Sequence, residues 1–224
     1  MIPWILLDSV ALPSGVMLKL KRRGAEFSIM LGDNELMNSR LGGSEEALAT
    51  LACARIAANV APKLLIGGLG MGFTLRAALA VLNERASVTV AELLPEVIGW
   101  ARGPMAEVFA GCLVDARVKL LQVDVAAEIA RAAGAWDAIL LDVDNGPDGL
   151  TQPENDGLYR LEGLRIAHKA LRPGGVLAIW SATDDEGFTR RLRSAGFAVE
   201  TAQVRASRAK RGSRHTIWLA QKPA

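Results

Sequence analysis

The sequence predicts an α/β fold: a mostly parallel, seven-stranded sheet covered by helices, with a small β-segment before it and an antiparallel hairpin at its end. Three observations carry this reading. Beyond Arg40, short apolar runs alternate with longer helix-like stretches. One run passes through a glycine-rich turn straight into a helix, and the last two runs have no helix between them. Strict strand–helix alternation buries a parallel sheet on both faces.

The elements follow in order. The opening MIPWILLDSVAL is apolar, but it lacks a basic leader region and carries Asp8, so it reads as a first strand rather than a signal peptide. Runs Val16–Leu20, Glu26–Leu31 and Glu35–Asn38 are separated by Gly24-Ala25 and Gly32-Asp33-Asn34, which is turn chemistry. Residues 1–40 are therefore expected to form a β-hairpin or meander segment that leans on a larger domain, 41–224, or on a second subunit. Ser44, followed by Glu45-Glu46 and an Ala/Leu-rich stretch to Asn59, reads as a capped helix with acidic residues at its positive end. Buried strands are then expected at Lys63–Gly67, Ser87–Glu92, Arg117–Gln122, Ala138–Asp142 and Gly175–Ser181. Helices are expected at Gly72–Leu82, Pro95–Ala101, Val125–Ala133, Leu161–Leu171 and Asp185–Ala195. Ala198–Val204 and His215–Ala220, joined only by the loop Arg205–Arg214, should pair as a long hairpin.

Composition narrows the function classes. Half of the 224 residues are apolar and 22% are charged, enough for a core and unlike a disordered chain. A net charge of +2 does not call for a polyanionic partner, and no apolar stretch approaches the ~18 residues of a membrane span. Cys53 and Cys112 stand far apart in apolar company, which excludes a disulfide framework and suits a reducing, cytoplasmic compartment. His168 and His215 are the only histidines, and neither has neighbours that complete a metal-ligand set, so no metal is expected.

The chemistry-bearing residues lie at the ends of the strands. In LLIGGLGMGFTLRAAL, Leu64 to Leu79, four glycines fall within the six residues Gly67–Gly72 between strand and helix. A tight turn needs one or two; more glycines let a ligand approach the main chain near free helix N–H groups. About twenty residues on, Glu92 ends a strand, where a carboxylate either binds ribose hydroxyls or merely terminates the element. Asp124 follows Val118–Val123 and precedes a helix, as an N-cap, a ligand contact, or both. In AWDAILLDVDNGPDG, a strand delivers Asp142 to the crevice where open α/β sheets bind ligands.

The glycine loop, Glu92, Asp124, Asp142 and the Ala-Leu-Arg-Pro-Gly-Gly turn before Val176–Trp180 together resemble the class I methyltransferase superfamily, with its Rossmann-like fold. The branch they resemble is that of the spermidine synthases, or polyamine aminopropyltransferases. Its Gly-Gly-Gly-Asp-Gly-Gly loop precedes a Leu-Arg helix as Gly68–Gly72 precedes Leu75-Arg76, and it shares the N-terminal β-segment and Ser44-Glu45 before a helix. The resemblance implies a cytoplasmic transferase that uses S-adenosyl-L-methionine or its decarboxylated form. Gly68, Gly70 and Gly72 would cradle the amino-acid end, Glu92 the ribose diol, and Asp124 with the Val125 N–H the adenine edge. Asp142 would face the sulfonium and the acceptor amine, and Asp144 is a second catalytic candidate that could supply charge from a neighbouring position. Two positions depart from the branch: its loop Asp is Met71 here, and its Asp-Ser-Ser-Asp-Pro stretch reads Asp142-Val143-Asp144-Asn145-Gly146. A buried ammonium needs a paired charge that Met71 lacks. On that ground methyl transfer to a small amine is the expectation. Aminopropyl transfer to a polyamine is the alternative, and a catalytically silent nucleoside-binding module a further one.

The acceptor side is less defined. Between Asp137 and Tyr159 there is no Lys or Arg, whereas Asp142, Asp144, Asp148, Glu154 and Asp156 are acidic. This loop either draws in a cationic amine or is simply solvated turn sequence. Asn145, Tyr159 and Trp180 are candidate acceptor contacts, the two aromatics equally readable as core. The basic loop Arg205–Arg214 has no interleaved aromatics to stack bases, so nucleic acid is not expected as a partner. Related enzymes use such a β-segment near their subunit contacts, which implies a homodimer.

Overall fold

The computed structural model describes residues 2–143, 156–207 and 212–224. Asp144, Asn145, Asp148 and Glu154 of the acidic loop, and Arg208, Lys210 and Arg211 of the basic one, lie outside the described residues.

Two sheets make up the frame. Strands β1 (Ile5–Ala11), β2 (Met17–Arg23), β3 (Glu26–Leu31) and β4 (Asn34–Asn38) form an antiparallel meander in sequence order, closed by tight turns at Gly24 and Gly32, both with positive φ. The larger sheet comprises β5 (Lys63–Gly67), β6 (Ser87–Glu92), β7 (Val118–Gln122), β8 (Trp136–Leu141), β9 (Leu171–Ser181), β10 (Ala198–Arg205) and β11 (Arg214–Gln221). Its order is β10-β11-β9-β8-β5-β6-β7, with β11 antiparallel to both neighbours and the pairs from β9 to β7 parallel. The expected seven-stranded sheet with a C-terminal hairpin is therefore the observed one.

Helices cover both faces. On one, α1 (Gly43–Arg55), α2 (Phe73–Val81) and α3 (Pro95–Arg102) bury Leu48, Leu75 and Trp100 against Leu64, Ile66 and Val90. On the other, α5 (Val125–Ala130), α7 (Leu161–Ala170) and α8 (Glu186–Ser194) bury Ile129, Leu164 and Phe188 against Leu65, Ile139 and Ile179. Each such aliphatic side chain contributes about 1.5–3 kcal/mol by leaving water. Three short elements were not foreseen: α4 (Ala106–Phe109), a 3₁₀ turn at Cys112–Val114, and α6 (Asp156–Tyr159). They are too short to show a helical period.

Helix α1 corrects the sequence reading. Gly42, not Ser44, is its N-cap, and no side chain caps it. Ser44 sits inside the first turn, fully buried, with its hydroxyl turned to Glu45 and His215. Asp124 and Asp185 do cap α5 and α8, accepting from the N–H of Ala126 and Gly187.

The small sheet does not stand apart. Leu18, Leu20, Phe27 and Ile29 share one apolar cluster with Trp100, Met105 and Phe109. The buried Trp100 Nε1 also donates to Asp8 Oδ2 at 2.7 Å. Cys53 and Cys112 are free and buried, and burial pushes their thiols up to about 12 and about 11. No helix among the described residues is long and apolar enough to cross a membrane.

At the start of β8, a central strand, buried Asp137 ties three segments together. It accepts from the Lys63 N–H at 2.7 Å, Asn59 Nδ2 at 2.9 Å and Arg172 at 2.9 Å. Removing it deletes the hydrogen bonds that one buried carboxylate gathers from three segments, each worth about 0.5–1.5 kcal/mol or more where a charge takes part. Asp137→Ala should lower unfolding free energy by about 3 kcal/mol in urea titrations; a loss under about 1 kcal/mol would deny Asp137 this role.

Candidate functional site

Chain order reverses in the sheet between β5 and β8: the strands run from β5 outward to β6 and β7, then back to β8 and β9. The connections leaving two adjacent strands there diverge to opposite faces and open a crevice at their carboxyl ends. The glycine loop, Glu92 and Asp142 all sit at that end.

The loop between β5 and α2 is shaped by positive φ at Gly68 (85°), Gly70 (50°) and Gly72 (73°). Two of these admit no side chain. A Cβ at Gly68 would come within 2.6 Å of the Asp142 carbonyl oxygen, and one at Gly72 within 2.6 Å of the Phe109 ring. The Gly68 N–H donates to the Ala91 carbonyl, and the Asp142 N–H to that of Gly67, so the three strand ends are fastened together.

Glu92 is the fastener of the loop itself. Its buried carboxylate accepts from the Leu69 N–H through Oε2 and the Leu94 N–H through Oε1, both at 2.9 Å. Burial pushes its pKa up, and these backbone donors pull the other way. The side chain still borders the cleft, together with Gly68, Gly70, Asp124, Val125 and Asp142. Asp124 is exposed there; its Oδ1 accepts from the Ala126 N–H at 2.8 Å, so it caps α5 and faces the cleft at once.

The opposite wall comes from the small sheet. Leu18, Ile29, Leu36 and Met37 line this compartment. None was anticipated as a site residue, because a four-stranded meander reads only as alternating apolar positions until its packing is known.

A second compartment opens off the first: Leu36, Met37, Gly70 and Asp142 border both. It is acidic. Glu45 from α1 and Asp142 line it, with Met71, Phe73 and Trp180. Thr74 Oγ1 donates to Asp142 Oδ2 at 2.6 Å and to the Glu45 carbonyl at 3.4 Å, bridging the two segments. Among the described residues neither carboxylate has an ion pair, and no Lys or Arg lines either compartment. Asp142 keeps some exposure into the cleft but is packed round on all sides. Burial, and then the nearby Glu45 charge, raise its carboxyl to about 7. Glu45 is raised by burial as well, against the pull of the Ser44 hydroxyl.

The remaining candidates divide. Trp180 borders the acidic compartment, packed edge-to-face on His215 with ring centroids 4.7 Å apart; its Nε1 is buried and without a hydrogen-bond partner among the described residues. Tyr159 does not line the cleft. It is buried against Phe188 in the core of the other face, and its hydroxyl donates to the Val143 carbonyl at 3.3 Å, supporting the strand end from behind. An aromatic just before α7 is drawn into the core, which is why the pocket reading fails for it. Sequence reasoning missed Glu45, taken as a helix-end acid, and Thr74. The signal for Glu45 was present in the Ser44-Glu45 pair, but nothing in the sequence tells that this helix faces Asp142.

No family model matches the chain. Polyamine aminopropyltransferase 2 of Pseudomonas aeruginosa is 34% identical over 142 residues, which are 58% of this chain and 38% of that protein. The matched segment is thus well short of that relative's length. Spermidine synthase of Thermotoga maritima superposes with a TM-score of 0.73 at 17% identity, over 97% of this chain and 72% of that one. Human methyltransferase-like protein 13, solved with SAH, gives 0.57 at 20% identity, over 80% and 79%. The structural likenesses are likenesses of fold. With the sequence match, they bear out the resemblance to the class I methyltransferase superfamily and its spermidine synthase branch.

The raised Asp142 carboxyl has a thermodynamic consequence. Between an ordinary Asp value of 3.8 and about 7 the folded protein holds a proton that the unfolded chain releases. Stability from this group is complete below about 4 and is lost as pH rises towards 7. Asp142→Asn keeps the Thr74 hydrogen bond and removes the titration. The variant should gain on the wild type in urea midpoint between pH 5 and pH 8, and parallel profiles would show that Asp142 titrates normally.

Proposed function

We propose that this chain is a transferase that binds decarboxylated S-adenosylmethionine and moves its aminopropyl group to a small, cationic amine. One observation carries the proposal: two desolvated carboxylates, Glu45 and Asp142, share a compartment without a cation among the described residues. Buried charges are tolerated when paired, so such a pair calls for ammonium groups from a ligand.

The same observation decides between cofactors. The carboxylate of S-adenosylmethionine would enter a cleft lined by acids and, among the described residues, by no Lys or Arg. The decarboxylated form brings an ammonium alone. Met71 supplies no charge, but Glu45 borders the same compartment and supplies from α1 what the loop lacks. The sequence match to a polyamine aminopropyltransferase points the same way. Methyl transfer, the expectation drawn from Met71, is therefore not the reading preferred here.

The cleft's build fits the nucleoside. Gly68, Gly70, Glu92, Asp124 and Val125 line one compartment, in which Glu92 would meet the ribose and Asp124 with the Val125 N–H the base. When bound, the cofactor's sulfonium makes the adjoining carbon an electrophile. The chain's own contribution is positioning: Leu18, Ile29 and Met37 keep water from the cleft, while Asp142, held by Thr74, orients the amine and draws its proton. A base whose carboxyl lies at about 7 is matched to that task near neutral pH. Trp180 offers an apolar wall to the methylene chain of the acceptor. Buried free thiols suit a reducing, cytoplasmic setting.

β1 supports a homodimer. It is an edge strand, and Ile5, Leu6 and Leu7 on it are 58%, 55% and 40% exposed. An apolar edge is a surface that another chain covers. Analytical ultracentrifugation should find a dimer that Leu6→Lys dissociates; a monomeric wild type would remove the dimer from this reading.

Calorimetry with each cofactor form tests the main proposal. The decarboxylated form should bind at least 10-fold more tightly, about 1.4 kcal/mol, and Glu45→Gln should erase most of that preference. Tighter binding of S-adenosylmethionine would return methyl transfer, and binding of neither would end the nucleoside reading. Asp142→Ala should lower turnover by about 10²–10⁴-fold with cofactor affinity largely kept. Binding without turnover on any amine would leave a silent nucleoside-binding module.

A further inference from the structure

Asp142 has to serve in two protonation states. The acceptor R–NH₃⁺ gives one proton to its carboxylate, and the freed lone pair forms the N–C bond. The C–S bond breaks with its electrons going to sulfur, which becomes a neutral thioether. The new secondary amine keeps its remaining protons as an ammonium. Asp142 is thus ionised before transfer and protonated after it, until its proton passes to water as product leaves the cleft. A carboxyl packed round on all sides is costly in either state unless a hydrogen-bond partner follows the change.

Thr74 stands where such a partner is needed. It is the second residue of α2, it is buried, and it lines neither compartment. Its hydroxyl lies 2.6 Å from Asp142 Oδ2 and, more distantly, 3.4 Å from the Glu45 carbonyl oxygen. A hydroxyl has one proton to give and lone pairs to accept with. When Asp142 is ionised, the Thr74 proton goes to Oδ2 in a short, charge-assisted bond. When Oδ2 carries a proton, the carboxyl O–H donates to Thr74 Oγ1, and the Thr74 proton turns to the Glu45 carbonyl. The same heavy-atom positions serve both states, and neither leaves a donor without an acceptor. Those positions are fixed from two sides. Gly72, where a Cβ would strike the Phe109 ring, sets the angle at which the loop enters α2, and the Asp142 N–H is held by the Gly67 carbonyl.

We propose that Thr74 is the positioning residue that keeps Asp142 in service as the base, donating to the ionised carboxylate and turning to the Glu45 carbonyl once the acceptor's proton has arrived, a proposal that rests on the transferase reading above. The surroundings give the effect its sign. From α1 come Glu45 and its neighbour Glu46, and across the adjoining compartment stand Glu92 of β6 and Asp124 before α5, all of them acids. Arg76 of α2 lies over the Phe73 ring, and His215 of β11 faces Ser44 and Trp180. Burial and the Glu45 charge favour the protonated form of Asp142, and the Thr74 hydrogen bond opposes them. Without that bond the ionised base becomes rarer near neutral pH.

Carboxyl ¹³C titration of the substrate-free protein, with Asp142→Asn to assign the signal, reads this directly. Thr74→Val and the smaller Thr74→Ala should each move the Asp142 midpoint upward by about one pH unit. Thr74→Ser, which keeps the hydroxyl, should leave it near the wild-type value. In turnover, the acid limb of kcat/KM for the amine should move upward with the midpoint in Thr74→Val, lowering activity about 10-fold on that limb and sparing the plateau at higher pH. A midpoint unmoved in both hydroxyl-free variants, or Thr74→Ser as impaired as Thr74→Val, would overturn the role. So would a uniform loss of kcat/KM with the limb unmoved, the mark of a side chain that only packs. Absence of aminopropyl transfer in the wild type would instead strike the proposed function, leaving the carboxyl titration to decide what Thr74 does.

Discussion

Two carboxylates held away from water, with no cation beside them among the described residues, dominate the energetics of this cleft. Desolvation and the neighbouring Glu45 charge raise Asp142, and burial raises Glu45, so the pair favours protons that a bound ammonium would displace. Such an arrangement is unfavourable for the fold taken alone. It persists because the rest of the molecule over-determines it. Asp142 is fixed at the end of β8 by its N–H to Gly67 and by Thr74 from α2, and Glu45 is fixed by α1, whose Leu48, Ala49 and Ala52 are fully buried.

The architecture around the pair follows from where chain order reverses. At the β5–β8 boundary the crevice is created by topology rather than by any one residue. Glu92 then stiffens its rim by accepting the Leu69 and Leu94 N–H groups, a purely structural duty that coexists with bordering the cleft. The meander closes the far side, sharing its apolar face between the common core and the cleft wall: Leu18 and Ile29 belong to both. Loss of packing in the small sheet would therefore reach the cleft directly.

Much of this was legible in the chain. Strand bounds at Glu26–Leu31, Lys63–Gly67 and Ser87–Glu92 are those read from apolar runs and turn residues. Asp124 and Asp142 fall where strand-to-helix spacing puts them. Other features were not. The N-cap of α1 was misplaced because Gly42, Gly43 and Ser44 all suit a helix start, and only the His215 partner on β11 draws Ser44 inward. Tyr159 was misassigned because a lone aromatic after an acidic loop carries no periodicity, and the space between Phe188 and Val143 exists only once α8 packs on the sheet.

By itself the sequence determined what is local in physical origin: strand and helix periods, the turns, the glycine loop and the carboxylates that end strands. These depend on near neighbours along the chain, through sterics, backbone hydrogen bonding and burial of alternate positions. Tertiary structure alone decided that α1 brings Glu45 beside Asp142, that Met37 and Leu18 wall the cleft, and that His215 meets Ser44 across 171 positions of sequence. Such contacts are fixed by how whole faces pack, and no spacing along the chain encodes them.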